Sequence, residues 1–437
     1  MREVTIVGGG LAGSELALQL ADRAMRVTLV EMRPATRTPA HATADLAELV
    51  CSNSLKSDDP ETASGLLKRE LRLVGCRLLE IASGCRVRAG HALAVDREQF
   101  ARAVTSRIES NPNIRLERRE QRDLELPPCS VIATGPLTSD ALSGALRDHF
   151  ASDHLYFYDA ISISVSAESI DPAYGFKASR YGKGGDDYWN MPLNGEQYAR
   201  LVEFLRSAPK AEKHGFEEKR CFESCLPVEV IAARGEDALR FGPLKPKGLV
   251  DPRTGREPHA AIQMRQETHD GTLFGLVGFQ TRLTRGAQQE LLAVIPGFRS
   301  PEILRWGSIH RNTFFDSPRL LDETQMSRKR PGLFFAGQIV GVEGYMESMA
   351  HGAIVARNVA RYIEGEEPAP LFPRETLLGS LQRHCSEGKI PFQPMNVNFG
   401  ILPALTARRI ERKKLYVERS LKMLETFLSE KHSTGKA

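Results

Sequence analysis

The sequence predicts an α/β protein in which a unit built on a parallel sheet is split by an inserted, mostly β segment. Three observations predict it. A strand–glycine–helix–strand block opens the chain, from Arg2 to Arg33. A second strand–glycine–helix block returns from Gly332 to Ala360. Between them, from about 153 to 301, short apolar runs alternate with glycine- and proline-rich turns. A nucleotide-binding core interrupted by an insertion accounts for all three.

In the first block, Val4-Thr5-Ile6-Val7 is a buried-strand run. It leads into Gly8-Gly9-Gly10-Leu11-Ala12-Gly13, a G-x-G-x-x-G. Leu11, Ala12, Leu16, Ala17 and Leu20 give an apolar face at helical spacing, and Arg26 to Val30 is a second strand ending on Glu31. Gly8 permits the tight turn, Gly10 lets the backbone approach a pyrophosphate, and Gly13 lets helix pack closely on strand. The helix N-terminus offers N–H groups to phosphate. Glu31 is placed to accept a hydrogen bond from a ribose hydroxyl.

With 437 residues the chain exceeds one ordinary core, so two domains are expected. Its 41% hydrophobic and 26% charged residues are those of a globular protein. No apolar run is long enough for a membrane span, and no signal peptide is expected before the first strand. Seven irregularly spaced cysteines suggest reduced thiols in the cytoplasm. A net charge of +4 is compatible with a polyanionic partner without requiring one.

After Glu31, Pro34, Pro39, His41 and Thr43 suggest an irregular loop over the cofactor. Cys51 follows in Val50-Cys51-Ser52-Asn53-Ser54. By context alone this cysteine reads as a small buried hydrophobe, as most free cysteines are. Leu66, Leu67, Leu71 and Leu73 form an expected buried stripe of a helix. Asp96 with Gln99 is a capping-box pattern, which makes Asp96 a helix cap rather than a catalytic acid. Val131 to Pro136 is a core strand ending in a turn at Gly135; in flavoproteins an Ala-Thr-Gly there closes the adenine side.

In the inserted segment, Tyr181 to Tyr188 is a glycine- and charge-rich loop that lacks the continuation of a P-loop. Cys221 and Cys225 have no second pair, so no metal site is expected. Ala261–Met264 and Leu273–Val277 are strands, and the segment is expected to hold one or two helices. The second block runs from the strand Gly332–Gln338, with Gly337 at its turn, into a helix from Ser348 to Ala360. The tail is an amphipathic helix with Val417, Leu421, Leu424 and Leu428 on one face. Arg408, Arg409, Arg412, Lys413 and Lys414 precede it, either as a solvated face or as phosphate contacts.

Together these residues resemble the flavin- and folate-dependent tRNA (uracil-5-)-methyltransferases. The matching pieces include Gly8 to Glu15, Glu31-Met32-Arg33-Pro34, Val50 to Ser54, Ala94-Val95-Asp96-Arg97 and Ala133 to Thr138. Further along come Phe241-Gly242-Pro243-Leu244-Lys245-Pro246, His310-Arg311-Asn312-Thr313 and Phe335-Ala336-Gly337-Gln338. The likeness spans nearly the whole chain. A sister family that modifies the wobble uridine shares the last block but is longer and lacks Cys-Ser-Asn-Ser. One departure is Asn190-Met191-Pro192, where many family members read Asn-Cys-Pro.

The resemblance implies a Rossmann-type FAD-binding domain (1–152 and 302–437) interrupted by an inserted, mostly β (α+β) domain (153–301). It implies FAD as cofactor, methylenetetrahydrofolate as carbon donor, NADH or NADPH as reductant and the T arm of tRNA as substrate. Gly8, Gly9, Gly10, Leu11, Ala12, Gly13, Glu31, Gly135, Gly337 and Gln338 would hold the cofactor. Cys51 and Cys225 would be the catalytic thiols, one as nucleophile and the other assisting deprotonation, with Cys51 preferred as the nucleophile; C5 of uracil becomes nucleophilic once a thiolate has added to C6. Rival readings are the same reaction on ribosomal RNA, an RNA-binding flavoprotein without methyl transfer, and a plain NAD(P)H–flavin oxidoreductase.

Overall fold

The computed structural model describes residues 2–38, 40–151, 155–182, 185–211, 226–298, 300–368, 371–388, 392–406 and 408–434. The first stretch runs β1 (Glu3–Val7), α1 (Leu11–Ala21), β2 (Arg26–Glu31), β3 (Ser54–Ser57), α2 (Ala63–Leu73), α3 (Arg77–Gly84), β4 (Arg86–Val87), β5 (Ala92–Val95), α4 (Arg97–Glu109), β6 (Ile114–Arg118), β7 (Ser130–Ile132) and α5 (Asp140–Phe150). The middle runs β8 (Leu155–Ser166), β9 (Phe176–Lys177), β10 (Tyr188–Leu193), α6 (Gly195–Ser207), α7 (Val228–Ala233), α8 (Ala238–Phe241), β11 (Ala260–Gln266), β12 (Leu273–Gln280), α9 (Arg285–Val294), β13 (Ile303–Arg305) and β14 (Ser308–Phe314). The chain ends with α10 (Ser317–Leu320), β15 (Leu333–Phe335), α11 (Tyr345–Glu364), α12 (Leu377–Glu387) and α13 (Arg409–Thr434).

One sheet is parallel, in the order β15-β7-β1-β2-β6. Strands β1, β7 and β15 are almost wholly buried because both faces are covered, while the edge strand β6 is mixed in sequence and only partly buried. The two blocks seen in the sequence meet here: β15 pairs with β7, and α11 packs across α1. That crossing is close because a Cβ on Gly352 would stand 2.5 Å from Ala12 O. Two buried carboxylates tie outer helices to this core. Glu15 on α1 accepts the N–H groups of Arg77 and Leu78 at the start of α3. Glu70 on α2 accepts those of Leu377 and Leu378 at the start of α12, and the Ser420 hydroxyl of α13. Each carboxyl group accepts at the positive end of a helix.

The second sheet is antiparallel, β13-β8-β12-β11-β10-β9, with β14 also on β8. Two of its strands, β13 and β14, follow residue 301. We place the end of the inserted unit after Phe314 for that reason. A small sheet, β3-β5-β4, lies beside the thiol loop.

Two expectations need correction. Leu73 is 40% exposed rather than part of the α2 stripe. A 3.6-residue period carries Leu66, Leu67 and Leu71 round to Glu70, and turns Leu73 outward. The inserted segment holds four helices among the described residues, not one or two. Tyr198, Leu201, Val202 and Leu205 have helical spacing and bury α6 against the sheet. Asp96 caps α4 as expected, accepting from the N–H of Glu98 and Gln99.

Candidate active site: a cofactor crevice joined to a thiol cavity

A crevice opens past the carboxyl ends of β1, β2 and β7, where α/β sheets bind ligands. It encloses about 980 Å³ of free space, counted to its mouth. Gly8, Gly10, Leu11, Ala12, Glu31, Gly135, Gly337 and Gln338 all line it. Gly8 turns with φ +109°, and a Cβ there would sit 2.5 Å from Ala133 O. Gly10 has nothing within 4 Å of the Cβ position, because that space belongs to the crevice. No side chain caps α1 at Gly10, which leaves first-turn N–H groups for an anion.

Gly9 and Gly13 do not line the wall. Gly13 stands where a Cβ would meet Gly8 O at 1.9 Å, so it sets the closeness of helix to turn. The Gly9 N–H donates to Glu31 Oε2 at 2.8 Å. Glu31 Oε1 accepts from the backbone N–H and Nε of Arg33, at 3.0 and 2.8 Å. Burial opposes its charge, yet Arg33 and these hydrogen bonds hold the carboxyl below its ordinary value. An ionised carboxylate has about four acceptor sites, so one remains toward the crevice. Arg33 also pairs with Glu48 at 3.2 Å. Glu48 accepts the N–H groups of Ala42 and Thr43 and so fixes the loop that carries His41 along the crevice. Burial and Arg33 push His41 down to about 4.

The crevice runs into a second cavity. Both are lined by Val50, Pro136, Leu137, Gln338 and Tyr345. Cys51 opens on this second cavity, with Lys56, Asp159, Asn312 and Glu343. Its loop is tied down from four sides. The N–H groups of Cys51 and Ser52 donate to Tyr345 Oη at 2.7 and 3.2 Å. The thiol lies 3.8 Å from Ala160 O on β8. Asn53, fully buried, donates to Val95 O and Gln266 O and accepts from Arg265 Nε at 2.7 Å. Arg97 donates to Leu49 O and to Glu267 Oε1, the latter at 2.6 Å. Glu343 is buried, next to Asp159, and both facts push its carboxyl well up; Gln338 Nε2 donates to it at 2.6 Å. A neutral carboxyl there can donate a hydrogen bond to a carbonyl or ring nitrogen.

Among the other described cysteines, burial pushes the thiols of Cys76, Cys85 and Cys385 up, and that of Cys129 to about 12. Such thiols are poor nucleophiles.

A family model described as glucose inhibited division protein A matches residues 3–367. A Moorella thermoacetica protein named methylenetetrahydrofolate–tRNA-(uracil-5-)-methyltransferase TrmFO is 50% identical over 425 residues. That match covers 96% of this chain and 97% of that protein. A Geobacter sulfurreducens protein of the same name is 51% identical over 430 residues, covering 98% and 99%. This chain belongs to the methylenetetrahydrofolate–tRNA-(uracil-5-)-methyltransferase family. Aquifex aeolicus GidA shares the fold, with a TM-score of 0.70 at 17% identity, over 97% of this chain and 73% of that one.

Within this methyltransferase-family chain, Cys225 lies outside the described residues, as does Cys221. Met191, the departure from Asn-Cys-Pro, is fully buried in the core of the inserted sheet. Tyr345, Glu343 and Asp159 had no sequence signal that singled them out. Glu343 sits in the glycine turn Gly341–Gly344 and Tyr345 begins the next helix, so a polar pair inside a glycine block was the clue available. Among the described residues no group of three or more His, Cys, Asp or Glu forms a metal cluster, and no helix is long and apolar enough to cross a membrane. The basic tail residues lie partly within α13, which starts at Arg409; Lys413 and Lys414 are exposed, while Val417 and Leu424 are buried.

Proposed function

We propose that this protein methylates C5 of the T-loop uridine of tRNA, taking the carbon from methylenetetrahydrofolate, with FAD in the crevice and NADH or NADPH as reductant. The observation that carries the reading is the seat of Cys51, where a dinucleotide crevice runs into a second cavity. The crevice residues fit FAD. Gly8, Gly10 and the start of α1 would take the pyrophosphate, Glu31 the ribose, and Gly135, Gly337 and Gln338 the remainder of its path. When bound and reduced, FAD supplies the two electrons that convert the transferred methylene into methyl.

The protein's own part begins with Cys51. Its thiolate adds to C6 of the uracil, and C5 gains the electron density to attack the one-carbon unit. Tyr345 and Asn53 hold the loop so that the thiol faces the cavity. The C5 proton then leaves to a base, for which Cys225 is our assignment, the C6–S bond breaks to return the Cys51 thiolate, and tetrahydrofolate departs as the leaving group of the one-carbon transfer. The base must be turned out of the folded RNA to meet the thiol. tRNA as substrate places this work in the cytoplasm.

The test is direct. Purified protein is incubated with unmodified tRNA and ribosomal RNA transcripts, NAD(P)H and methylenetetrahydrofolate labelled in its methylene. Label is expected in 5-methyluridine of the T loop. Label confined to ribosomal RNA would move the substrate, and NAD(P)H consumption without label in any RNA would sink the reading.

A further inference from the structure

A groove lies on the seam between the first unit and the inserted sheet, apart from the crevice and the thiol cavity. It shares no lining residue with either. It offers about 1140 Å³ of free space, counted to its open mouth. Arg86 and Arg88 come from β4 and its edge, Lys177 and Trp189 from β9 and β10, and His269 and Phe274 from the turn and strand opposite. Arg86 is partly offset by Asp58, at 3.5 Å. Asp270 also lines the groove, but it accepts from Thr272 and closes its own turn. Arg88 and Lys177 are exposed and have no carboxylate partner among the described residues. Lys177 Nζ lies 5.2 Å from the centre of the Trp189 ring.

Exposed cations beside aromatic rings are the two parts of a single-stranded nucleic acid site: cations follow the phosphates and a ring receives a base. The groove is also close to the nucleophile. Gln266 lines it, and the Gln266 carbonyl accepts from Asn53, two residues from Cys51. Backbone spacing therefore puts the groove's inner lip within about 15 Å of Cys51, a reach of two or three nucleotides. A nicotinamide dinucleotide has the same phosphates and rings. It would have to deliver its hydride into the crevice, however, and the groove does not open on it. A strand several nucleotides long can leave the groove over its lip and still place one nucleotide at Cys51.

We propose that this groove receives the phosphate chain of the substrate RNA beside the target uridine, with an unpaired base on Trp189. This rests on the reading of the protein as an RNA methyltransferase. The test uses the full-length flavin-loaded protein and the unmodified tRNA transcript. Binding is measured over a range of potassium chloride for wild type, the double variant R88Q/K177Q, W189L and W189F. The double variant is expected to lower the log–log salt slope by roughly 1.4 to 1.8, at about 0.7 to 0.9 per lost contact. W189L is expected to bind about tenfold more weakly, and W189F to recover most of that loss. Flavin content and RNA-free NAD(P)H consumption should match wild type in all variants. Unchanged affinity and slope would overturn the assignment. A raised KM for NAD(P)H with unchanged RNA binding would overturn it in favour of a nicotinamide site. Methyl transfer by the wild type is scored separately, so groove-dependent binding without methylation would count against the proposed activity alone.

Discussion

The two sheets address their cavities with different material. The parallel sheet meets the crevice with backbone: Gly8, Gly10, Gly135 and Gly337 bring peptide groups close to where a ligand would lie. The antiparallel sheet meets the thiol cavity with side chains: Asp159 from β8, Gln280 from β12 and Asn312 from β14. Backbone recognition suits a constant partner such as a dinucleotide phosphate. Side-chain recognition suits chemistry, where protons and charges must be placed atom by atom. Damage to the first sheet should therefore appear as lost cofactor, and damage at the second as lost reaction with cofactor retained.

The sharpest test is the thiol itself. Cys51→Ser should lower methyl transfer by roughly 10³-fold or more while the protein stays yellow, since a hydroxyl is far less ionised at neutral pH. If Cys225 takes the C5 proton, Cys225→Ser should trap a protein–RNA adduct on a denaturing gel, and Cys51→Ser should form none. Colourless Cys51→Ser protein would break the division between the sheets. Next comes Gly10→Val, whose branched side chain would enter the crevice. Flavin content per protein is expected to fall below about a tenth of wild type, as backbone approach to the pyrophosphate is blocked. Full flavin content would mean that the phosphates lie elsewhere.

Asn53→Ala probes the joint between the small sheet beside the thiol loop and the antiparallel sheet. It leaves Arg265 Nε, Val95 O and Gln266 O without their partner, at a cost of about 1–3 kcal/mol. Flavin should stay bound, with a lower denaturation midpoint and slower methyl transfer. Loss of flavin instead would show that the joint supports the crevice as well.

Glu70 should touch neither site. Burial raises its carboxyl to about 7 despite three donated hydrogen bonds. The folded protein therefore keeps this proton up to about pH 7, while the unfolded chain releases it near the ordinary carboxylate value. Stability from this group is full below that value and is lost as pH rises toward 7, by up to about 3 kcal/mol, with no further change above. Glu70→Gln should flatten the fall in denaturation midpoint between pH 5 and 8 without changing flavin content or turnover. An identical fall in the variant would assign it to other groups.

The same contrast explains what could be read in advance. The crevice was legible because its determinants are local: a G-x-G-x-x-G, an acid at the end of the next strand, and a strand ending in Gly135. The dual use of Glu31, which binds Gly9 and Arg33, was not legible, since spacing does not show where a carboxylate's other lone pairs go. Cys51 stood out only through the resemblance. Its surroundings come from Ala160 and Tyr345, more than 100 and nearly 300 positions away. Glu343 and Asp159 share a cavity only after two sheets have docked. The place of α6 is less legible for a simpler reason: its apolar residues have helical spacing, but the turns on either side have the texture of a strand-rich segment.

The pairing of β15 with β7 also orders events during synthesis. Ile132 of β7 leaves the ribosome 201 positions before Leu333 of β15. At about 5–20 residues per second, the edge of β7 waits roughly 10–40 s for its neighbour. During that time its unpaired N–H and C=O groups are open to any other strand. The antiparallel sheet, by contrast, is complete in one continuous stretch from β8 to β14. It can close first, bring the chain ends at residues 155 and 314 side by side through the β8–β14 pair, and so shorten the loop that β15 must close. On this account the inserted domain acts as a clasp for the domain it interrupts, and the crevice closes only once β15 and the segment from Gly337 to Ser348 have joined it.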